Sequence, residues 1–257
     1  MKLVIEDKQI EYQQAVKWFE DLSEEKIFVF EHQDVYTAGK SIDNNEKEKS
    51  IANIHGIPAI HTNRGGLWTW HGKGQVVVYF IYNLKKRHLP LSDFLSIVEN
   101  VVIKNVKTEL FKYDSKTDFN IFADNDKRGF WYNKYDNEKE NKNKENNIKT
   151  IYEVSDKNKT NENANINLYN VSKKQNNEKF GFIGLRVSQG FVLHGISINY
   201  NNNLELFDYI NPCGLGNVKI TSIENILKEN NHKSLSALDI HNFKLMLGNE
   251  LFVALDI

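Results

Sequence analysis

Cys213 is the single thiol of this 257-residue chain, and it stands in the stretch Asn211-Pro212-Cys213-Gly214-Leu215. Two readings compete for it. A lone cysteine is by default a small, inert, packed hydrophobe. Between Pro212 and Gly214, however, it sits on a turn, where packing does not call for a cysteine. A thiolate there is a nucleophile able to carry an acyl group as a thioester. That chemistry wants a cation or a base beside the sulfur, and Lys179 is the candidate. It follows a polar tract and opens the apolar run "KFGFIGLRV" (179–187). A lysine drawn out of water by the strand it enters can exchange protons near neutral pH. One left on the surface of a hairpin has no such role. Both pairs of readings stay open on these residues alone.

A second constellation is "NRGGLWTWHGKGQ" (63–75). Gly65, Gly66, Gly72 and Gly74 permit close backbone approach or positive φ. Arg64, Thr69 and His71 add polar ends, and Trp68 and Trp70 add flat apolar walls. Glycines beside aromatics suit the wall of a pocket for an extended apolar ligand. The spacing is not that of a phosphate-binding P-loop, and a strand rather than a helix follows it. A plain glycine-rich hairpin is the alternative. His194, in "LHGISIN", is a lone histidine beside a glycine in a strand and reads as structural. No second His or acid lies at metal-ligand spacing, so no metal site is expected.

These residues must be carried by something. A net charge of −1 points to neither nucleic acid nor a bulk membrane surface. One cysteine excludes an internal disulfide framework and fits a reducing compartment. No leader-like N-terminus is present, and no run approaches the roughly 20 apolar residues of a membrane span, so the expectation is a soluble, cytoplasmic protein. Helices are expected over 10–22, near 91–111 with Leu91, Leu95, Val98, Val102 and Val106 as its buried stripe, over 221–230, and near 235–254. Strands are expected at 26–30, 74–84, 119–123, 129–133, 179–187 and 190–200. The two kinds mix without a βαβ rhythm, which gives an α+β class with a mixed sheet flanked by helices. The tract 134–177 breaks the pattern: 13 of its 44 residues are Asn and 9 are Lys. So polar a segment reads as an exposed insertion in a hairpin.

Four blocks then resemble, in order, the octanoyl-acyl-carrier-protein:protein octanoyltransferases, also called lipoyl(octanoyl) transferases or lipoate-protein ligase B. They are "FEHQDVYTAGK" (30–40), "RGGLWTWHGKGQVVVYFI" (64–81), "KFGFIGLRVSQGFVLHGISIN" (179–199) and "FDYINPCGLGNVKITSI" (207–223). The resemblance implies one catalytic domain over 1–257, with a biotin/lipoate protein ligase-like fold and the insertion at about 134–177. It implies a monomeric acyltransferase without cofactor or metal. Octanoyl, or lipoyl, would pass from octanoyl-acyl carrier protein to a lysine of lipoyl domains, those of 2-oxoacid dehydrogenase E2 subunits and the glycine cleavage H protein. It also implies Cys213 as the acyl-thioester residue and Lys179 as its partner. The implied acyl pocket is Arg64, Gly65, Gly66, Leu67, Trp68, Thr69, Trp70, His71, Phe182, Ile183, Gly184, Gly195, Ile196 and Ser197. Lys73 stands where the family has proline, Phe180-Gly181 replace Ile-Ala, Phe182 is bulkier than usual, and Ser197 replaces alanine. These departures bear on acyl-chain length. The rival readings are an ATP-dependent lipoate or biotin ligase of the same fold, and a non-catalytic protein that binds lipoyl domains. Cys213 in N-P-C-G and the lack of a biotin-ligase G-R-G-R-like run speak against the first, and retention of Cys213 and Lys179 against the second.

Overall fold

The computed structural model describes residues 1–42, 51–124, 126–134, 177–212, 218–230 and 237–256. Its strands are β1 (Lys2–Ile10), β2 (Lys26–His32), β3 (Val35–Ala38), β4 (Asn53–Ile54), β5 (Ile57–His61), β6 (Trp68–His71), β7 (Gln75–Asn83), β8 (Asn120–Asp124), β9 (Gly129–Asn133), β10 (Asn177–Ser188), β11 (Phe191–Asn199) and β12 (Lys219–Ile220). Its helices are α1 (Tyr12–Lys17), α2 (Leu91–Phe111), α3 (Ile223–Glu229) and α4 (Ala237–Leu255).

The large sheet runs β1-β2-β7-β11-β10-β9-β8, with β12 beside β10. β1 pairs parallel to β2 and β12 parallel to β10, and the remaining pairs are antiparallel. The class is therefore α+β with a mixed sheet. β7 shows why the sheet has two covered faces. Its side chains alternate with period two. Val76, Val78, Phe80 and Tyr82 enter the main core under α2, α3 and α4. Val77, Tyr79 and Ile81 enter a smaller cluster with Ala15 of α1 and with Trp18 and Phe19 of the turn that follows it. A strand buried on both faces reads as a continuous apolar run, as "VVVYFIY" does.

α2 spans the expected residues, but its stripe is offset. Phe94, Val98, Val102, Val106 and Leu110 are buried, whereas Leu91 and Leu95 are only half-buried. A four-residue step back from Val98 lands on Phe94, and Leu95 lies to one side of that row. The first helix is also shorter than expected. Ile10 ends β1, α1 covers Tyr12–Lys17, and a 3-10 turn covers Trp18–Glu20. α3 begins behind Ser222, whose hydroxyl accepts from Asn225 N as an N-cap.

A second, smaller sheet has the order β4-β5-β3-β6. It carries the glycine-rich stretch as the strand β6 and a preceding loop. That loop is pinned from β3's end by Gly39 N to Leu67 O, Lys40 N to Arg64 O and Ser41 N to Gly66 O, at 3.0–3.2 Å. Asn133 and Asn177 pair across β9 and β10. Of the expected insertion 134–177, residues 135–176 lie outside the described residues.

Gly195 shows how tightly the sheet is drawn around the site. A Cβ there would strike the carbonyl oxygen of Val78 and come within 3.1 Å of Tyr79 Cα. Both contacts are backbone, so the neighbour cannot swing aside. Gly195→Ala is expected to destabilise the fold by ~3 kcal/mol, the upper end of overpacking penalties, measured by urea unfolding. A loss below ~1 kcal/mol would show that β7 and β11 can separate without penalty.

Candidate active site

Three segments from different elements close around one cavity: 64–69 with His71, 182–184, and 195–197, joined by Tyr79 and His194. The lining is mostly apolar. The cavity is about 50 Å³, within a void of about 460 Å³ counting its open mouth. All of the expected pocket residues line it except Trp70. Thr69 and His71 share one face of β6, and Trp68 and Trp70 the other; of those two only Trp68, the first residue of the strand, reaches the cavity. The Trp70 ring packs against Phe207. Tyr79 and His194 are wall residues that sequence reasoning missed. Tyr79 was legible, because it alternates with Val77 and Ile81 on β7. His194 was noticed but read as structural.

Lys179 lies on β10 and is 1% exposed. Its Nζ donates to the carbonyl oxygen of Arg128 at 2.8 Å and stands 5.1 Å from the ring centres of both Trp131 and Phe182. Two aromatic faces favour a cation between them. Phe182 is also a pocket wall, so one ring links the amine to the cavity. Gly129 makes room for it: a Cβ at that residue would lie 2.5 Å from Lys179 Cε. None of Arg128, Gly129 or Trp131 was foreseen, because nothing local in "KRGFWYN" marks a lysine's housing.

Cys213, with Gly214 to Asn217, lies outside the described residues. Pro212 forms a parallel bridge with Trp68, on the pocket wall. Beyond 213–217, Lys219 and Ile220 pair with Glu178 and Lys179, and Thr221 N donates to Lys179 O at 2.9 Å. The chain thus leaves from the pocket wall and returns alongside the lysine.

Part of the pocket is polar. Arg64 donates to Thr37 O at 2.7 Å, Leu67 O at 2.8 Å and Gly65 O at 2.8 Å, which braces the glycine loop. His71 Nδ1 meets Gln75 Oε1 at 2.6 Å, His32 Nε2 meets the Tyr79 hydroxyl at 2.9 Å, and His194 Nε2 meets Asn63 Oδ1 at 2.8 Å. His194 Nδ1 and Thr69 Oγ1 are buried without a hydrogen-bond partner, and His194 holds φ 58, an uncommon value for a non-glycine residue. Burial pushes His32 down to about 4. Burial, then the nearby Arg64 charge, pushes His194 down to about 3. Burial holds His71 well below 6.5. All three imidazoles are therefore neutral at pH 7. No group of three or more His, Cys, Asp or Glu that could hold a metal ion is found among the described residues. No helix among them is long and apolar enough to cross a membrane.

The family described as the lipoyl protein ligase A/B catalytic domain matches residues 10–251, and the chain belongs to that family. Within it, the chain is similar to proteins named octanoyltransferase. The one from Francisella tularensis subsp. tularensis strain WY96-3418 is 29% identical over 257 residues, covering 96% of this chain and 98% of the relative. The one from Buchnera aphidicola is 30% identical over 200 residues, covering 78% and 69%. The fold is shared with a lipoate protein ligase from Thermoplasma acidophilum, described as bipartite (TM-score 0.51, 8% identity, 98% of this chain and 83% of that one). It is also shared with a Plasmodium falciparum protein solved in complex with lipoate (TM-score 0.51, 11% identity, 98% and 63%).

The buried imidazoles make a stability prediction. Unfolded histidine takes up a proton near pH 6.5, while His32 and His194 resist it in the fold down to about 4 and about 3. Between those limits protons favour the unfolded chain. Stability is complete above pH 6.5 and falls as the pH drops, by about 1.4 kcal/mol per pH unit for each such histidine. Urea unfolding between pH 6.5 and 5 should show that slope, and His194→Gln should make it shallower by one histidine's share. An unchanged slope in the variant would mean His194 is protonated in the folded protein.

Proposed function

We propose that this chain is an acyltransferase that moves an octanoyl group from octanoyl-acyl carrier protein to a lysine of a lipoyl domain, the first step of protein lipoylation. The supporting observation is the enclosed Lys179 amine against the Phe182 wall of an apolar pocket, with the described residues on either side of Cys213 close by: Pro212 bridges Trp68, and Lys219 and Ile220 pair with Glu178 and Lys179. Full-length similarity to proteins named octanoyltransferase supports the same reading. The acceptors in this reading are the lipoyl domains of E2 subunits and the glycine cleavage H protein, and the enzyme works in the cytoplasm as a monomer. The whole of 1–257 is one catalytic unit, with 134–177 an insertion joining β9 to β10.

The chemistry is a double displacement. Lys179 accepts the Cys213 proton, and the thiolate adds to the thioester carbonyl of the donor. The C–S bond to the carrier breaks, and the carrier thiolate takes the proton back from Lys179. Cys213 now holds the octanoyl group as a thioester, so this step is nearly balanced in energy. The acceptor amine then adds to the same carbonyl, the C–S bond to Cys213 breaks, and an amide forms, which runs downhill. Lys179 takes the amine's proton and returns it to the sulfur. ATP is not consumed, because the donor is already an activated ester.

Incubation with octanoyl-carrier protein and no ATP should raise the intact mass by one octanoyl group. That gain should disappear in Cys213→Ser, and Lys179→Ala should slow its appearance at least about tenfold. An ATP requirement would point instead to a ligase, and no adduct with any acyl donor to a binding protein. Deleting 136–175 and joining the ends with a short turn should preserve folding and self-acylation, because long surface insertions add little to loop-closure entropy. Loss of soluble protein in that variant would show that the tract packs on the domain.

A further inference from the structure

A continuous line of buried polar groups runs behind the pocket, and the proposed transfer does not use it. Gln75 and Asn199 are both 0% exposed, and Thr221 is 1% exposed. Gln75 Oε1 meets His71 Nδ1 at 2.6 Å. Gln75 Nε2 donates to Trp70 O at 3.2 Å and to Asn199 Oδ1 at 2.9 Å. Asn199 Nδ2 donates to Thr221 O at 3.0 Å, and Thr221 N donates to Lys179 O. Four residues of the line lie on different strands or their ends: Gln75 opens β7, Asn199 closes β11, Thr221 follows β12, and Lys179 is on β10.

The donors and acceptors leave one assignment. Both hydrogens of the Gln75 amide are committed, so its oxygen can only accept. His71 Nδ1 must therefore carry the hydrogen, and Nε2 keeps the lone pair. Flipping the Gln75 amide would set its oxygen against Trp70 O and Asn199 Oδ1, two acceptors. The line therefore selects one neutral tautomer of a histidine in the pocket wall.

Resting on the octanoyl-transfer reading, we propose that Gln75 and Asn199 are positioning residues of that reaction: they fix the buried His71 ring of the pocket wall as its Nδ1–H tautomer, with the Nε2 lone pair held in one direction, and tie it to the backbone that carries Lys179. An imidazolium there would have an aliphatic chain as its neighbour, and a buried charge without a counter-charge is costly. The groups that face His71 bear this out. His32 on β2, Tyr79 on β7, His194 on β11 and Arg64 before β6 surround it, and Asp34 packs against the adjoining Gly72. Arg64, the positive charge of that set, opposes protonation. Burial and His32 hold the ring far below its ordinary value, and the Gln75 bond pulls the other way. An amide at position 75 therefore orients the ring without charging it, and a carboxylate would do both.

The test uses the full chain and two readouts. Nitrogen-15 NMR of the wild type at pH 7 should show His71 as the neutral Nδ1–H tautomer. A protonated ring, or the Nε2–H form, overturns the proposal without any variant. In Gln75→Glu, His71 should become titratable in the neutral range. Octanoyl self-acylation should then fall at least about tenfold from pH 8 to pH 6, a full unit of protonation, while the wild type changes by less than about twofold. The added acid limb should vanish in Gln75→Glu/His71→Asn, which has no ring to protonate. Equal slowing of Gln75→Glu at every pH would mean a purely structural amide and would overturn the proposal. If Gln75→Glu fails to fold, Gln75→Met replaces it, with a mixture of the two His71 tautomers as the expected result and a single Nδ1–H form as the overturning one. Absence of any octanoyl adduct on the wild type would sink the transfer reading instead, and the tautomer measurement would still stand.

Discussion

The constraint behind much of this architecture is the burial of one lysine. Lys179 is 1% exposed, and an amine taken out of water must find partners or change its charge. The fold meets the requirement from three directions. The β8–β9 turn offers the Arg128 carbonyl. Trp131 and Phe182 offer two ring faces. Gly129 offers the empty space that any side chain would fill. β10 itself is held on both edges, by β9 on one side and by β11 and then β12 on the other. The lysine is thus fixed from several elements at once, and the same strand supplies the pocket wall three residues on.

The pocket divides into two regimes. Toward Lys179 its wall is aromatic and aliphatic. Toward β7 it is lined by His71 and His194, with His32 bonded to the wall residue Tyr79, and these rings could carry charge and do not. Burial suppresses protonation of His32, His71 and His194; His194 and His71 are oriented by donating to Asn63 Oδ1 and Gln75 Oε1, and His32 by its bond with the Tyr79 hydroxyl. Arg64 spends its donors on backbone carbonyls and on Thr37, so it acts as a brace for the glycine loop. The outcome is a channel shaped by polar groups behind its surface and suited to an apolar chain.

Much of the element order was legible from periodicity. β7 was plain because nearly every residue in it is β-branched or aromatic, and α2 because its apolar residues recur at helical spacing. The offset between Leu95 and Phe94 was not legible: a four-residue row looks nearly the same one position over until the sheet beneath it chooses a face. β1 was missed because an edge strand paired on one side needs no strong apolar signal. β6 was hidden by its glycine-rich approach, which reads equally as a turn.

Residue types and local order determined which groups could do chemistry: a single thiol on a Pro-Gly turn, a lysine entering an apolar strand, and glycines interleaved with aromatics. These are properties of short segments, and short segments carry them. Tertiary structure decided what surrounds each group. It turned Trp70 out of the pocket, brought Tyr79 and His194 in, and set the 2.8 Å bond from Lys179 to a carbonyl 51 residues away. It also bound Gln75 to Asn199 across 124 residues. Such partners are joined by sheet order and register, which depend on the free energy of the whole packed chain, and no local pattern records them.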